Sequence, residues 1–184
     1  MSERQFVVGR PHFGRFARMP EENAAALEHA RNALVAAVEA EPDRAGAADV
    51  LDATVDLAEA LTVAGREADA IALVEPAVRL ARDAGRAETL GWALMVLATA
   101  QHYADLPSAA ATNFEEALAV ARTSADRVLE HYTLHHLGRF LVDAGRTEDA
   151  VGAFTASLAI REQLAEPRAA ATRAALAALL RSPR

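Results

Sequence analysis

Apolar residues recur along this chain with the spacing of one helix face, and the same face returns every forty residues. Ala150 and Phe154 stand four apart, as do Ala110 and Phe114, and Ala70 and Val74, with Ala30 and Leu34 one step earlier. Three residues further on come Ser157, Ala117, Ala77 and Ala37, each followed by an apolar residue, Leu158, Leu118, Val78 or Val38. A fixed period of this kind marks a repeat architecture. Breaks at Ala64-Gly65-Arg66, Ala104-Asp105-Leu106-Pro107 and Ala144-Gly145-Arg146 separate the units. Glycine there can take the left-handed conformation that closes a helix, and proline can open the next one.

The pattern predicts eight helices: Pro20 to about Ala40, Ala45 to Ala64, Glu67 to Ala84, Ala87 to Tyr103, Pro107 to Ser124, Arg127 to Ala144, Thr147 to Ala165 and Arg168 to Arg181. Pro76 falls inside the third, where loss of one backbone hydrogen bond and crowding of the preceding turn predict a kink. Ahead of each break runs a second helical motif containing a small residue: Leu57-Ala58, Leu97-Ala98 and Leu137-Gly138. A small side chain there lets two helix backbones approach closely.

Leu137-Gly138, then Ala150, then Phe154 resembles the tetratricopeptide repeat, and Leu97-Ala98 with Ala110 and Phe114 is a weaker copy. The family's tryptophan position carries Thr54, Leu94 or Leu134, its tyrosine position Leu61, Gln101 or Leu141, and its closing proline Arg82, Arg122 or Glu162. The unit also exceeds the usual ~34 residues, so the chain is similar to the long-helix variety found in kinesin light chains. The resemblance covers residues 24 to 181 and implies an all-α, right-handed α-α superhelix of antiparallel helix pairs. The expected organisation is one domain over residues 20–184, with repeats at 45–85, 87–125 and 127–165 and partial repeats at 20–41 and 168–181. An irregular arm, residues 1–19, precedes it, because Gly9, Pro11 and Gly14 discourage a helix.

Composition narrows the function by exclusion. A formal net charge of -7 disfavours general nucleic-acid binding, which needs a concentrated basic face. All nineteen positive side chains are arginine, so Schiff-base chemistry and a phosphate-loop lysine are absent. Without cysteine there is no disulfide, thiol catalysis or cysteine-bound zinc. No apolar run approaches the ~20 residues that span a bilayer, and the first twenty residues lack the apolar centre of a secretion signal, so a cytoplasmic protein is the expectation. No glycine-rich phosphate loop, nucleophile turn or meaningful acidic pair is present, and neither enzyme activity nor a cofactor is expected.

In stacked helix pairs the first helix of each pair lines the concave side. Its exposed stripe should take Asp52, Val55, Glu59 and Thr62 from the second helix; Trp92, Met95, Thr99, His102 and Tyr103 from the fourth; and Tyr132, His135, His136 and Arg139 from the sixth. The only tryptophan and both tyrosines fall there, and such residues anchor peptide interfaces or, equally, pack between repeats. The resemblance implies a non-catalytic scaffold or regulatory adaptor that binds a peptide or protein segment in this groove. The alternative is a small-molecule or metal sensor built on the aromatic and histidine surface; the chain also resembles repeat regions attached to bacterial transcription regulators, without a helix-turn-helix of its own. His131 and His135 stand four apart as zinc ligands do, but a third ligand is lacking: His102 is displaced by roughly 15 Å along the axis at 1.5 Å per residue, and Glu130 belongs to another face. No metal site is therefore expected.

The last helix is apolar around its whole circumference, which suggests a homodimer through Leu176, Leu179 and Leu180, or a continuation of the chain. The arm carries Arg4, Arg10, Arg15 and Arg18 against Glu3, together with Phe6, Phe13 and Phe16. It suits either a lid over Leu27, Leu34 and Val38 or a ligand for Asp52, Glu59, Trp92 and Tyr132.

Overall fold

The computed structural model describes residues 20–40 and 47–181, with side chains from residue 24 onward. Eight helices follow one another: α1 (Pro20–Ala40), α2 (Ala48–Val63), α3 (Glu67–Asp83), α4 (Ala87–Tyr103), α5 (Pro107–Thr123), α6 (Arg127–Asp143), α7 (Thr147–Gln163) and α8 (Ala169–Arg181). The described residues contain no strand. Consecutive helices pack as a repeat solenoid, with α2 against α3 and α4 against α5 as pairs, α3 against α4 between pairs, and α7 against α8. The arm over residues 1–19, and with it both expectations for its role, lies outside the described residues.

The turns are built from one device used at twenty-residue intervals. Gly65, Gly85 and Gly145 adopt φ of 78°, 67° and 74°, and Asp105, Ala125 and Ala165 occupy the same left-handed position at 60°, 55° and 53°. At the end of α2 the Gly65 amide donates to the Thr62 carbonyl and the Arg66 amide to the Leu61 carbonyl, the paired reversed bonds that satisfy the last carbonyls of a helix. The same pair closes α3, through Gly85 and Arg86, and α6, through Gly145 and Arg146. The breaks read from the sequence contain Gly65, Asp105 and Gly145, but not Gly85. The alanine turns carry no such signature, and their conformation is imposed by the helices on either side.

Helix starts rely on charge more than on capping side chains. Glu67 and Asp69 open α3, and Glu148 and Asp149 open α7, near the positive end of each helix dipole. Arg66 and Arg146 reach forward to Asp69 and Asp149 at 2.7 Å, a repeated pair one double period apart along the chain. At α6 the Asp126 carboxylate accepts from the Leu129 amide at 2.9 Å, the usual N-cap bond. Helix α3 continues through Pro76, which lies on the exposed side.

The residues that set the forty-residue period are the core. Ala70, Ala110 and Ala150 are wholly buried, and so are Val74, Phe114 and Phe154. Ala77, Ala117 and Ser157 are buried with them. Close approach is real at Gly138, where a methyl group would sit 3.0 Å from three carbons of the Phe154 ring. It is tighter at Gly91, where the added carbon would lie 2.3 Å from Leu129 Cδ2.

Contacts divide the chain into two compact units, the boundary falling within α6 after Thr133. The first holds α1 to α5 and the opening turns of α6; the second holds the remainder of α6 with α7 and α8.

Candidate functional site

In the first unit, the candidate surface grows from positions one repeat apart. Asp52, Trp92 and Tyr132 are related by forty residues and occupy the same place on α2, α4 and α6. Trp92 and Tyr132 meet edge to face, with ring centroids 5.5 Å apart at 60°, and both are half-buried. One side of Trp92 packs against the core containing Ala93, Val96 and Leu129. An aromatic pair of this geometry is favoured by its complementary quadrupoles. It fixes the two rings while leaving part of each in water.

Beside it, the Thr89 hydroxyl of α4 donates to Asp52 of α2 at 2.8 Å, which orients that carboxylate. Asp52 and Asp56 are one turn apart on the exposed side of α2, with Glu59 also exposed. Partial burial pushes the Asp56 carboxyl above its ordinary value of 3.8, the Asp52 charge adds to this, and His29 on α1 opposes it. The sign follows. A carboxyl that holds its proton more tightly when folded contributes stability below its unfolded pKa and loses it as pH rises through the folded one. Asp56 is therefore destabilising at neutral pH, and Asp56→Asn should raise the thermal midpoint at pH 7 while leaving it unchanged near pH 3. An equal gain at both values would assign the effect to packing.

The remaining expected stripe positions of this unit separate by burial. Val55, Thr62, Met95, Thr99 and Tyr103 are buried, while His102 is half-exposed and stacks on Tyr103 with centroids 4.8 Å apart. Thr62 and Thr99 turn their hydroxyls back to the Ala58 and Met95 carbonyls at 2.8 and 2.9 Å. Glu130, buried on α6, is held by Arg122 of α5 at 3.2 Å and Arg127 at 2.7 Å, and this ties it to the scaffold.

The second unit carries the other three expected residues. His135 is half-buried, with its ring edge-on to Phe154 at 5.3 Å and to the half-buried His136 at 5.8 Å. Arg139 is buried. His135 Nδ1 lies 3.1 Å from the Thr172 hydroxyl of α8, which in turn accepts from Arg161 of α7 at 2.6 Å. Arg161 also donates to the Arg168 carbonyl at 3.2 Å and is only 2% exposed. Among the described residues no three His, Asp or Glu side chains converge in a way that could hold a metal ion.

Arg161 and Thr172 escaped a reading made by hydrophobic pattern, whereas Ser157 lies on the repeated face read from the sequence. Arg161 stands where earlier units have Ala81 and Ala121, and Ser157 where they have Ala77 and Ala117. His131 and Thr133, both wholly buried, replace Leu51 or Gly91 and Ala53 or Ala93. The third repeat substitutes polar groups for apolar ones at its interior positions, and the Arg161–Thr172 bond clamps α8 to α7.

These helix pairs define a TPR-like helical-repeat fold. Among solved structures the chain is similar to a putative kinesin light chain of Podosopora anserina with nearly identical TPR-like repeats: 20% identity and a TM-score of 0.61, covering 88% of this chain and 87% of that one. A form of that protein with one glutamine replaced by methionine gives 20% identity and a TM-score of 0.63, covering 89% and 87%. No protein-family model matches the chain, and no curated protein does. No described helix is long and apolar enough to cross a membrane.

Proposed function

We propose that this protein is a non-catalytic interaction module, a scaffold or regulatory adaptor, that takes a peptide or protein segment across the surface formed by Asp52, Asp56, Glu59, Trp92 and Tyr132. The observation that carries this reading is the Trp92–Tyr132 pair: two large rings fixed edge to face, each half open to water, beside carboxylates on α2. Aromatic residues presented in this way supply contact area at little entropic cost and dominate the energetics of interfaces. The fold supports the same reading, since helix-pair solenoids offer extended surfaces for recognition.

Trp92 is the only tryptophan, so its emission reports occupancy of this surface directly. Selection from a phage-displayed peptide library should enrich sequences that shift that emission. The double variant Trp92→Ala, Tyr132→Ala should then bind the same peptides about tenfold or more weakly while retaining its helicity. Enriched peptides that leave the emission and the double variant's affinity unchanged would place binding elsewhere and sink the proposal.

A further inference from the structure

Each complete unit consists of a first-position helix followed by a second-position helix, as in α2·α3 and α4·α5. The register makes α1 a second-position helix, since Ala30 and Leu34 align with Ala70 and Val74. It makes α8 a first-position helix, since Thr172 aligns with Tyr132, Trp92 and Asp52. Among the described residues no first-position helix precedes α1 and no second-position helix follows α8, and each of the two leaves apolar positions open that are closed in the complete units.

Burial shows this position by position. On α3, Val78 is 5% exposed, whereas its counterpart Val38 on α1 is 45% exposed, and Leu34 and Ala37 are only half-buried where Val74 and Ala77 are closed off. On α8, Leu180 is 68% exposed, whereas Phe140 and Ala100 at the same position are 7% and 0%. Leu179, by contrast, is turned inward and buried, so the outward apolar face of α8 is marked by Leu180 and the half-buried Leu176 and Ala177. Charge matches as well. Helix α1 carries Glu28 and Glu39 against Arg31, while α8 carries Arg181 and Arg173, the latter paired with Glu162 of α7, and no carboxylate.

We propose that α8 of one copy docks on α1 of a second copy, reproducing between molecules the α2·α3 type of contact already made within each. The partner is a second copy of this chain, and the contact is head to tail. Such an interface joins two different surfaces, so a copy docked through one of them can still offer the other to a further copy. It differs from a dimer formed by two α8 helices, which would use one surface twice.

The test uses two single variants of the full chain, Val38→Glu and Leu180→Glu, each at an exposed position and each checked for unchanged helicity. Should either fail to fold, Val38→Gln and Leu180→Gln replace them. In light scattering the wild type should gain mass with concentration, more so at low salt, because the charge complementarity is screened by ions. Each variant alone should associate about ten- to a hundredfold more weakly, the change expected from losing burial of one large aliphatic side chain. An equimolar mixture should recover a 1:1 heterodimer, since the Val38→Glu protein keeps its α8 face and the Leu180→Glu protein keeps its α1 face. A wild type that stays monomeric would show that these faces are covered within the chain, and would overturn the proposal. So would a Val38→Glu protein that still dimerises by itself, or a mixture that yields no heterodimer.

Discussion

Replacing Phe114 by alanine should lower the free energy of unfolding by about 3 to 5 kcal/mol, the range for truncating a large buried aromatic side chain. Phe114 is wholly buried on α5, at the position that Val74 and Phe154 hold in their units. Deleting the ring removes its transfer free energy and leaves a cavity that a close-packed interior fills only in part. Val74→Ala, at the equivalent position of α3, should cost clearly less, because fewer buried atoms are lost. Urea unfolding followed by helical circular dichroism measures both. A loss below about 1 kcal/mol at Phe114, well under the range for such truncations, would mean that the four-residue step from the repeat alanine does not mark the core. The assignment of the whole series would fall with it.

The ease with which the fold was read from the sequence has a physical origin. A solenoid buries the same helix face in every unit, so one copy with clear spacing, Ala150 to Phe154, predicts the burial of Ala110, Phe114, Ala70 and Val74. Helix boundaries at two of the breaks followed because the positive-φ glycines Gly65 and Gly145 end helices at the same phase of the repeat. Where the pattern fell short, two units shared a position but solved it differently. Gly91 is required because Leu129 presses on it, yet the aligned residues are Leu51 and His131, and no spacing rule selects a glycine between a leucine and a histidine. The buried arginine was hidden for a similar reason. Arg161 is a residue type usually found at the surface, and its bonds to Thr172 and the Arg168 carbonyl help to satisfy it in the interior.

The candidate surface was less legible than the fold. Helical spacing assigned Met95, Thr99 and Tyr103 to the same stripe as Trp92, but those three are buried and the tryptophan is half open. A stripe read from one helix cannot register how much of it the neighbouring helices cover. The Trp92–Tyr132 contact and the Thr89–Asp52 bond are products of that neighbour packing. Sequence supplied the residues, and the repeat stacking decided which of them face water.

Ala150→Leu provides the complementary test, in which the side chain becomes larger. Ala150 is wholly buried near the start of α7, as are Ala110 and Ala70 in their units, so the added carbons have no space to occupy. Leucine and alanine have similar helix propensities, so the local helix itself is indifferent to the change. The cost is that of overpacking, about 1 to 3 kcal/mol, as the substituted helix is pushed from its partner. Ala156→Leu on the exposed side of the same helix is the control, and surface changes of that kind stay within about 0.5 kcal/mol. The difference between the two isolates the closeness of the helix crossing from everything that depends on leucine as a residue. If Ala150→Leu and Ala156→Leu gave the same unfolding midpoint, the crossing at Ala150 would have room to spare, and its alanine could not be what sets the distance between helices in this repeat.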